Sequence, residues 1–234
     1  WGLDSSYGLT GMAEGEFAVQ DLTWEIVNKM NFGVELGFLN GMIDLQLDYF
    51  DERRKDIFMP RESVPMTAGF MKQPWKNFGK VTNQGVEVSL NVNKQFGKDL
   101  FVSLMGTFTY AHNEITEKDE PSAVVGTNRA ETGHPVGQLT GYIAEGLFTE
   151  DDFEDVSTGK LKEGIPTQSF VGKLRPGDIR YRDVNGDGKV DVFDKSPIGG
   201  TKDPEIVYGF GVNMKYKNLD FGALFQGIGR SWNI

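Results

Sequence analysis

The chain has 234 residues, with 24 Lys and Arg against 34 Asp and Glu, giving a formal net charge of −10. That balance excludes a nucleic-acid partner, because neutralising a phosphate backbone takes clustered Lys and Arg. Cysteine is absent, which removes disulfide frameworks, thiolate metal sites and cysteine nucleophiles.

No apolar run approaches the roughly 18–20 residues a membrane helix needs, so a helical membrane protein is excluded. The 30 glycines, 17 phenylalanines and 7 tyrosines instead favour strands and tight turns. The two imidazoles, His112 and His134, lie in separate segments without zinc-ligand spacing and read as ordinary strand-end or loop residues. No nucleophile and base, and no pair of catalytic carboxylates, can be placed, so no enzyme is expected.

Six segments alternate apolar and polar: 30–38, 43–49, 86–92, 102–110, 206–216 and 219–225. In one phase 27 of 28 positions are apolar, from Met30, Phe32 and Val34 through to Phe221, Ala223 and Phe225, with Gly106 as the exception. The opposite phase holds only three apolar residues, Met105, Val207 and Leu224. Each strand is therefore expected to separate an apolar environment from water.

Consecutive segments are joined by Asn40-Gly41, Gly97-Lys98 and Lys217-Asn218, which suit tight turns and predict three hairpins. Residues 59–79 and 117–205 join hairpin to hairpin as long polar connections on the opposite side. After Tyr49 the run 51–56 is fully charged and loses alternation, as a strand rising beyond a bilayer would.

Within the longer connection, Thr149 and Asp152 match a capping-box spacing that opens a short helix. Residues 175–178 read as a turn, and Gly199-Gly200 as flexible backbone. Residues 183–194 match a calcium (Ca2+) loop. Asp183, Asn185, Asp187, Asp191 and Asp194 take positions 1, 3, 5, 9 and 12, Gly188 holds the turn at position 6, and Lys189 offers its carbonyl at position 7. A hard cation wanting six to eight oxygens suits this donor set. Asp194 departs from the usual position-12 Glu, a shorter arm that requires a tighter loop. Val190 supplies the apolar anchor at position 8.

One-sided strands fit two architectures. A soluble sandwich or lipocalin-like barrel turns its apolar face inward, as a calcium-dependent carbohydrate-binding or adhesin module would. An outer-membrane barrel turns that face to lipid. The loop asymmetry, together with the boundary tyrosines Tyr49, Tyr110 and Tyr216, favours the second. Six strands with unpaired edges cannot span a bilayer, so an excised piece of a larger barrel is expected.

Leu22-Thr-Trp-Glu25, residues 77–88, residues 176–199 and Asp203-Pro-Glu-Ile-Val-Tyr-Gly209 together carry a resemblance. In them the chain resembles the C-terminal part of the SusC/RagA family of TonB-dependent outer-membrane transporters of Bacteroidetes. The resemblance implies that residues 1–234 are part of a mainly β, 22-stranded transmembrane β-barrel in outer-membrane lipid. Residues 117–205 would form a long extracellular loop region. It implies import of glycans or peptides with a SusD-like surface lipoprotein. The plug and the TonB-binding box lie N-terminal in that family, outside this stretch. Trp75, Phe70 and Tyr142 are the loop aromatics available to stack on sugars.

Overall fold

The structure is a computed structural model that describes residues 19, 21–68 and 72–233. Phe70, named above as an aromatic able to meet a sugar, lies outside the described residues. The strands are β1 (Ile26–Phe38), β2 (Ile43–Pro60), β3 (Trp75–Phe96), β4 (Leu100–Glu117), β5 (Ile206–Tyr216) and β6 (Leu219–Gly229). They form one antiparallel sheet in which each strand pairs with its chain neighbours, in the order β1 to β6.

All three hairpins form at the expected dipeptides, because their residues tolerate left-handed backbone. Asn40 and Gly41 have φ of 57° and 79°, Gly97 has 61° and Lys217 has 54°. Strands β2, β3 and β4 run well past the alternating cores, with 18, 22 and 18 residues. The charged stretch after Tyr49 stays in the sheet up to Pro60. It stays there because β1 and β3 offer ladder partners whatever the side chains: Lys29 pairs with Glu52, and Arg53 with Thr82. A bulge at Asp56, with φ of 59°, marks where regular pairing ends.

Register aligns the apolar phase across the whole sheet. Phe32, Tyr49, Val86 and Tyr110 lie in successive paired positions, as do Leu36, Leu45, Leu90 and Gly106. Beyond Gly106 the row continues into Phe210 and Phe225, whose rings stack at 5.0 Å. Among the described residues no second layer covers this face: Phe32 is 67% exposed and Phe221 57%. A soluble sandwich buries such a row against another sheet, so the calcium-dependent soluble module does not describe this architecture. From Val102 to Tyr110 the apolar band is nine residues long. At about 3.4 Å per residue and a tilt of about 40°, it spans roughly 23 Å, close to the apolar belt of an outer-membrane barrel.

The polar face is built differently. The Phe50 ring of β2 reaches over Gly85 of β3, whose added Cβ would stand 2.3 Å from both the ring and the Tyr110 carbonyl. Asp48 leans over Gly33 in the same way, 2.4 Å from the position of a Cβ. Glycine is required there because a neighbouring strand's side chain occupies the space. Gly85→Val should break the pairing of β3 with β2 and β4. In the whole barrel it should abolish the heat-modifiable migration of the folded form on a denaturing gel, and an unchanged shift would refute the packing requirement.

Apolar residues are buried elsewhere. Phe148, Phe153, Leu174 and Val190 all lie in the connection between β4 and β5, and Ile115 sits at its base. The sheet strands turn their apolar groups outward, so among the described residues the water-excluding core belongs to the connection between β4 and β5.

Candidate functional site

Residues 118–205 rise from β4 and return to β5, fastened to the sheet at several points. The Ala111 amide donates to the Glu205 carbonyl at 2.9 Å, and the Ile115 amide to the His134 carbonyl at 2.9 Å. The Val136 amide donates to the Asn113 carboxamide oxygen at 2.7 Å. Asn113 belongs to the polar phase of β4, so the connection leans over the lumen side of the sheet.

Charged pairs lock both feet. Glu205 Oε1 lies 2.5 Å from His112 Nδ1, and Arg230 donates to Glu205 Oε2 at 3.1 Å. Burial pushes the Glu205 carboxyl up, but the hydrogen bonds from His112 and Arg230 outweigh it and hold the group below its usual range. His112, read from sequence as an ordinary strand-end residue, is thus an anchor for the returning chain. Asp119 ties the neighbouring connection to this one: it accepts from Arg61 Nε at 2.8 Å and from the Ser63 hydroxyl at 2.9 Å. Burial raises its carboxyl, and the bonds from Arg61 and Ser63 more than offset that, leaving it low.

Inside the connection, Phe148, Phe153 and Leu174 form a small core flanked by Leu161, Ile165 and Val171. The predicted helix start at Thr149 is a single 3-10 turn, Glu150–Asp152, whose Asp152 carboxylate accepts from the Thr149 amide at 2.6 Å and hydroxyl at 2.9 Å. The turn stops there because Phe153 is drawn into the core. Gly199-Gly200 is not loose backbone: the Trp232 ring lies over both glycines, and its amide donates to the Thr201 carbonyl at 2.9 Å.

The acidic loop folds through its own amides. Asp183 accepts from the Gly186 amide at 2.7 Å and the Gly188 amide at 2.8 Å, with φ of 75° and 83° at those glycines. Asn185 accepts from the Asp187 amide, and Asp187 from the Lys189 amide, both at 2.9 Å. Asp191 caps the next turn by accepting from the Phe193 amide at 2.9 Å. Lys189 and Val190 form a two-residue parallel pairing with Thr167 and Gln168, and Val190 is fully buried.

Asp194 is placed apart from the others. It is 0% exposed, and its two oxygens accept from the amides of Val184 at 2.8 Å, Asn185 at 3.3 Å and Asp191 at 2.7 Å. It clasps the loop's two ends from inside. Asp183, Asn185 and Asp187 share the outer turn. Among the described residues, no three acidic or histidine side chains are gathered closely enough to hold a metal ion. The donor chemistry suits a hard cation, and a carboxylate has about four acceptor positions, so the amide bonds leave outer lone pairs on Asp183 and Asp187.

The aromatics are partly taken by protein neighbours. Tyr142 stacks on Phe170 at 4.4 Å and tilts against Tyr181 at 5.6 Å. Trp75 lies 5.2 Å from Phe58. Sequence reasoning also missed Asn128, whose side-chain amide donates to the carbonyls of Phe193 at 3.0 Å and Lys195 at 2.8 Å. Only its place in a turn-rich segment pointed to it.

Three comparisons bear on this arrangement. Residues 2–221 match the family described as TonB dependent receptor-like, beta-barrel. Among curated relatives, TonB-dependent receptor P3 of Formosa agariphila is 24% identical over 93% of this chain and 22% of its own length. TonB-dependent receptor SusC of Bacteroides thetaiotaomicron is 29% identical over 86% of this chain and 19% of its own length. The chain thus spans about a fifth of the curated relatives it matches. Among solved structures, the RagAB peptide importer in its open-open state superimposes with a TM-score of 0.66 at 22% identity, covering 95% of this chain and 22% of that one. The aligned apolar band, the three short turns and the folded connection between β4 and β5 belong with these matches: the chain is a member of the TonB-dependent receptor-like β-barrel family of outer-membrane proteins.

Proposed function

We propose that this chain supplies wall strands and a folded outer connection to an outer-membrane, TonB-dependent nutrient importer that works with a SusD-like or RagB-like surface lipoprotein. The observation that carries the reading is the sheet itself. Among the described residues its apolar band is aligned and uncovered, while the buried core lies in the connection on the side opposite the short turns. The cargo is a glycan or a peptide, and the RagAB peptide importer among the solved structures supports the peptide. Energy coupling through TonB is assigned to no residue here.

Topology is the direct test. Because this stretch contains no cysteine, single cysteines report cleanly. Val125→Cys, in the outer connection, should react with a membrane-impermeant maleimide on intact cells. Lys98→Cys, in a short turn, should react only after the outer membrane is permeabilised. The reverse pattern would overturn the reading.

The loop at 183–194 is proposed to bind calcium through Asp183, Asn185, Asp187 and the Lys189 carbonyl, with Asp191 completing the shell and Asp194 closing the loop. The left-handed glycines and the shared outer turn of the first three side chains support it. Calorimetric titration of the whole barrel with calcium should give binding heat that Asp187→Ala reduces sharply. Equal heats in the two proteins would sink the site.

A further inference from the structure

A cleft of about 370 Å³ opens between residues 129–140 and 192–197, lined by Arg129, Glu131, His134, Gln138 and Lys195. Its walls are tied together. Asn128 bonds to the carbonyls of Phe193 and Lys195, and Thr140 and Gly141 pair with Pro197 and Ser196. Gln138 donates to the Ile198 carbonyl at 3.2 Å.

The charges inside do not cancel. Arg129 lies 4.8 Å above the Phe193 ring, and the Lys195 ammonium lies 5.7 Å from the Tyr142 ring centroid. Neither cation has a carboxylate within ion-pair distance among the described residues. The one acidic liner, Glu131, is engaged with Lys118 at 2.6 Å. The nearby Asp191 and Asp194 carboxylates are turned onto the loop's own amides. In a chain of net charge −10, two cations held against rings on facing walls, unpaired with any described carboxylate, make this cleft locally positive. Ring contacts fix the cations in place without neutralising them, and a guanidinium presents a donor fork that matches a carboxylate.

We propose that this cleft is a carboxylate-binding site, in which Arg129 and Lys195 together grip the anionic group of a ligand arriving from outside. The proposal rests on the reading that the connection faces the cell exterior, and it adds that the ligand is acidic. His134, half-buried, lines the same wall. Two sources present this chemistry, the free C-terminus of a peptide and the carboxylate of a uronic-acid sugar.

The test is binding to the whole barrel protein in detergent, followed by calorimetry. The probes are acetyl-dialanine and its C-terminal amide, and digalacturonate and neutral digalactose. At least one acid should bind while its neutral counterpart does not, and the tighter acid identifies the source. The double variant Arg129→Ala, Lys195→Gln should weaken that binding tenfold or more, about what losing one charge-assisted hydrogen bond costs. Lys202→Ala should leave it unchanged. If neither acid binds, if the neutral probes bind equally well, or if the double variant binds as the wild type does, the proposal is overturned. Maleimide labelling at Val125 stands or falls separately, so loss of the cleft would leave the importer reading intact.

Discussion

Leu90→Arg should lower the stability of the barrel in lipid by about 2–4 kcal/mol, the cost of a cation facing the middle of the bilayer. Leu90 lies in the apolar row between Leu45 and Gly106, near the middle of the band that ends at Tyr49 and Tyr110. Its neighbour Ser89 pairs with Gln46 and Thr107 on the polar face, and Ser89→Arg should cost far less because the new cation reaches water. Reversible denaturant unfolding in phospholipid vesicles measures both. Equal losses for the two variants would mean that the faces have been assigned wrongly. The pair of neighbours is informative because strand geometry sends their side chains to opposite sides.

Asp194→Ala should cost a comparable amount, about 3 kcal/mol or more, but locally. It strips an acceptor from three amides in a fully enclosed place, and unsatisfied buried donors cost about 1–3 kcal/mol each. The loop would lose the link between its beginning at Val184 and its end at Asp191. Hydrogen exchange should accelerate across 183–196 while the six membrane strands keep their protection, and limited proteolysis should cut there first. Asp187→Ala, on the outer turn, should leave calcium-free exchange nearly unchanged. If Asp194→Ala protected its amides as the wild type does, the clasp would be wrong.

The membrane strands were legible in the sequence because lipid on one side and water on the other impose a two-letter code on every residue. From Met30 to Phe38 or from Ile206 to Tyr216 that code runs almost unbroken. It failed where neither environment applies. Past Tyr49, charges on both faces hid eleven further residues of β2, since water accepts any side chain while the ladder still holds the backbone. The connection was harder still. Its strands are two to four residues long, as at Thr140–Gly141 or Lys189–Val190, too short for any period to register. The packing of Trp232 on Gly199-Gly200 joins residues from opposite sides of the final hairpin, and nothing local announces it.

The acidic loop was half legible. Spacing located every oxygen-bearing residue and the permissive glycines, but not which carboxylates face outward. Asp191 and Asp194 stand three apart, the spacing of a reciprocal cap, and that was the available signal for Asp194 turning inward.

The neighbour-to-neighbour order of the sheet has one break in chain distance, between β4 and β5, whose partners Tyr110 and Ile206 meet across the whole connection. Bringing the ends of an unstructured loop of that length together costs on the order of 4 kcal/mol in chain entropy. A connection that first collapses around Phe148, Phe153 and Leu174 has already surrendered that freedom, and it delivers the two strands side by side. Assembly of this wall would then follow the order of chain compaction: the connection gathers first, and the β4–β5 seam closes after it at little further entropic cost.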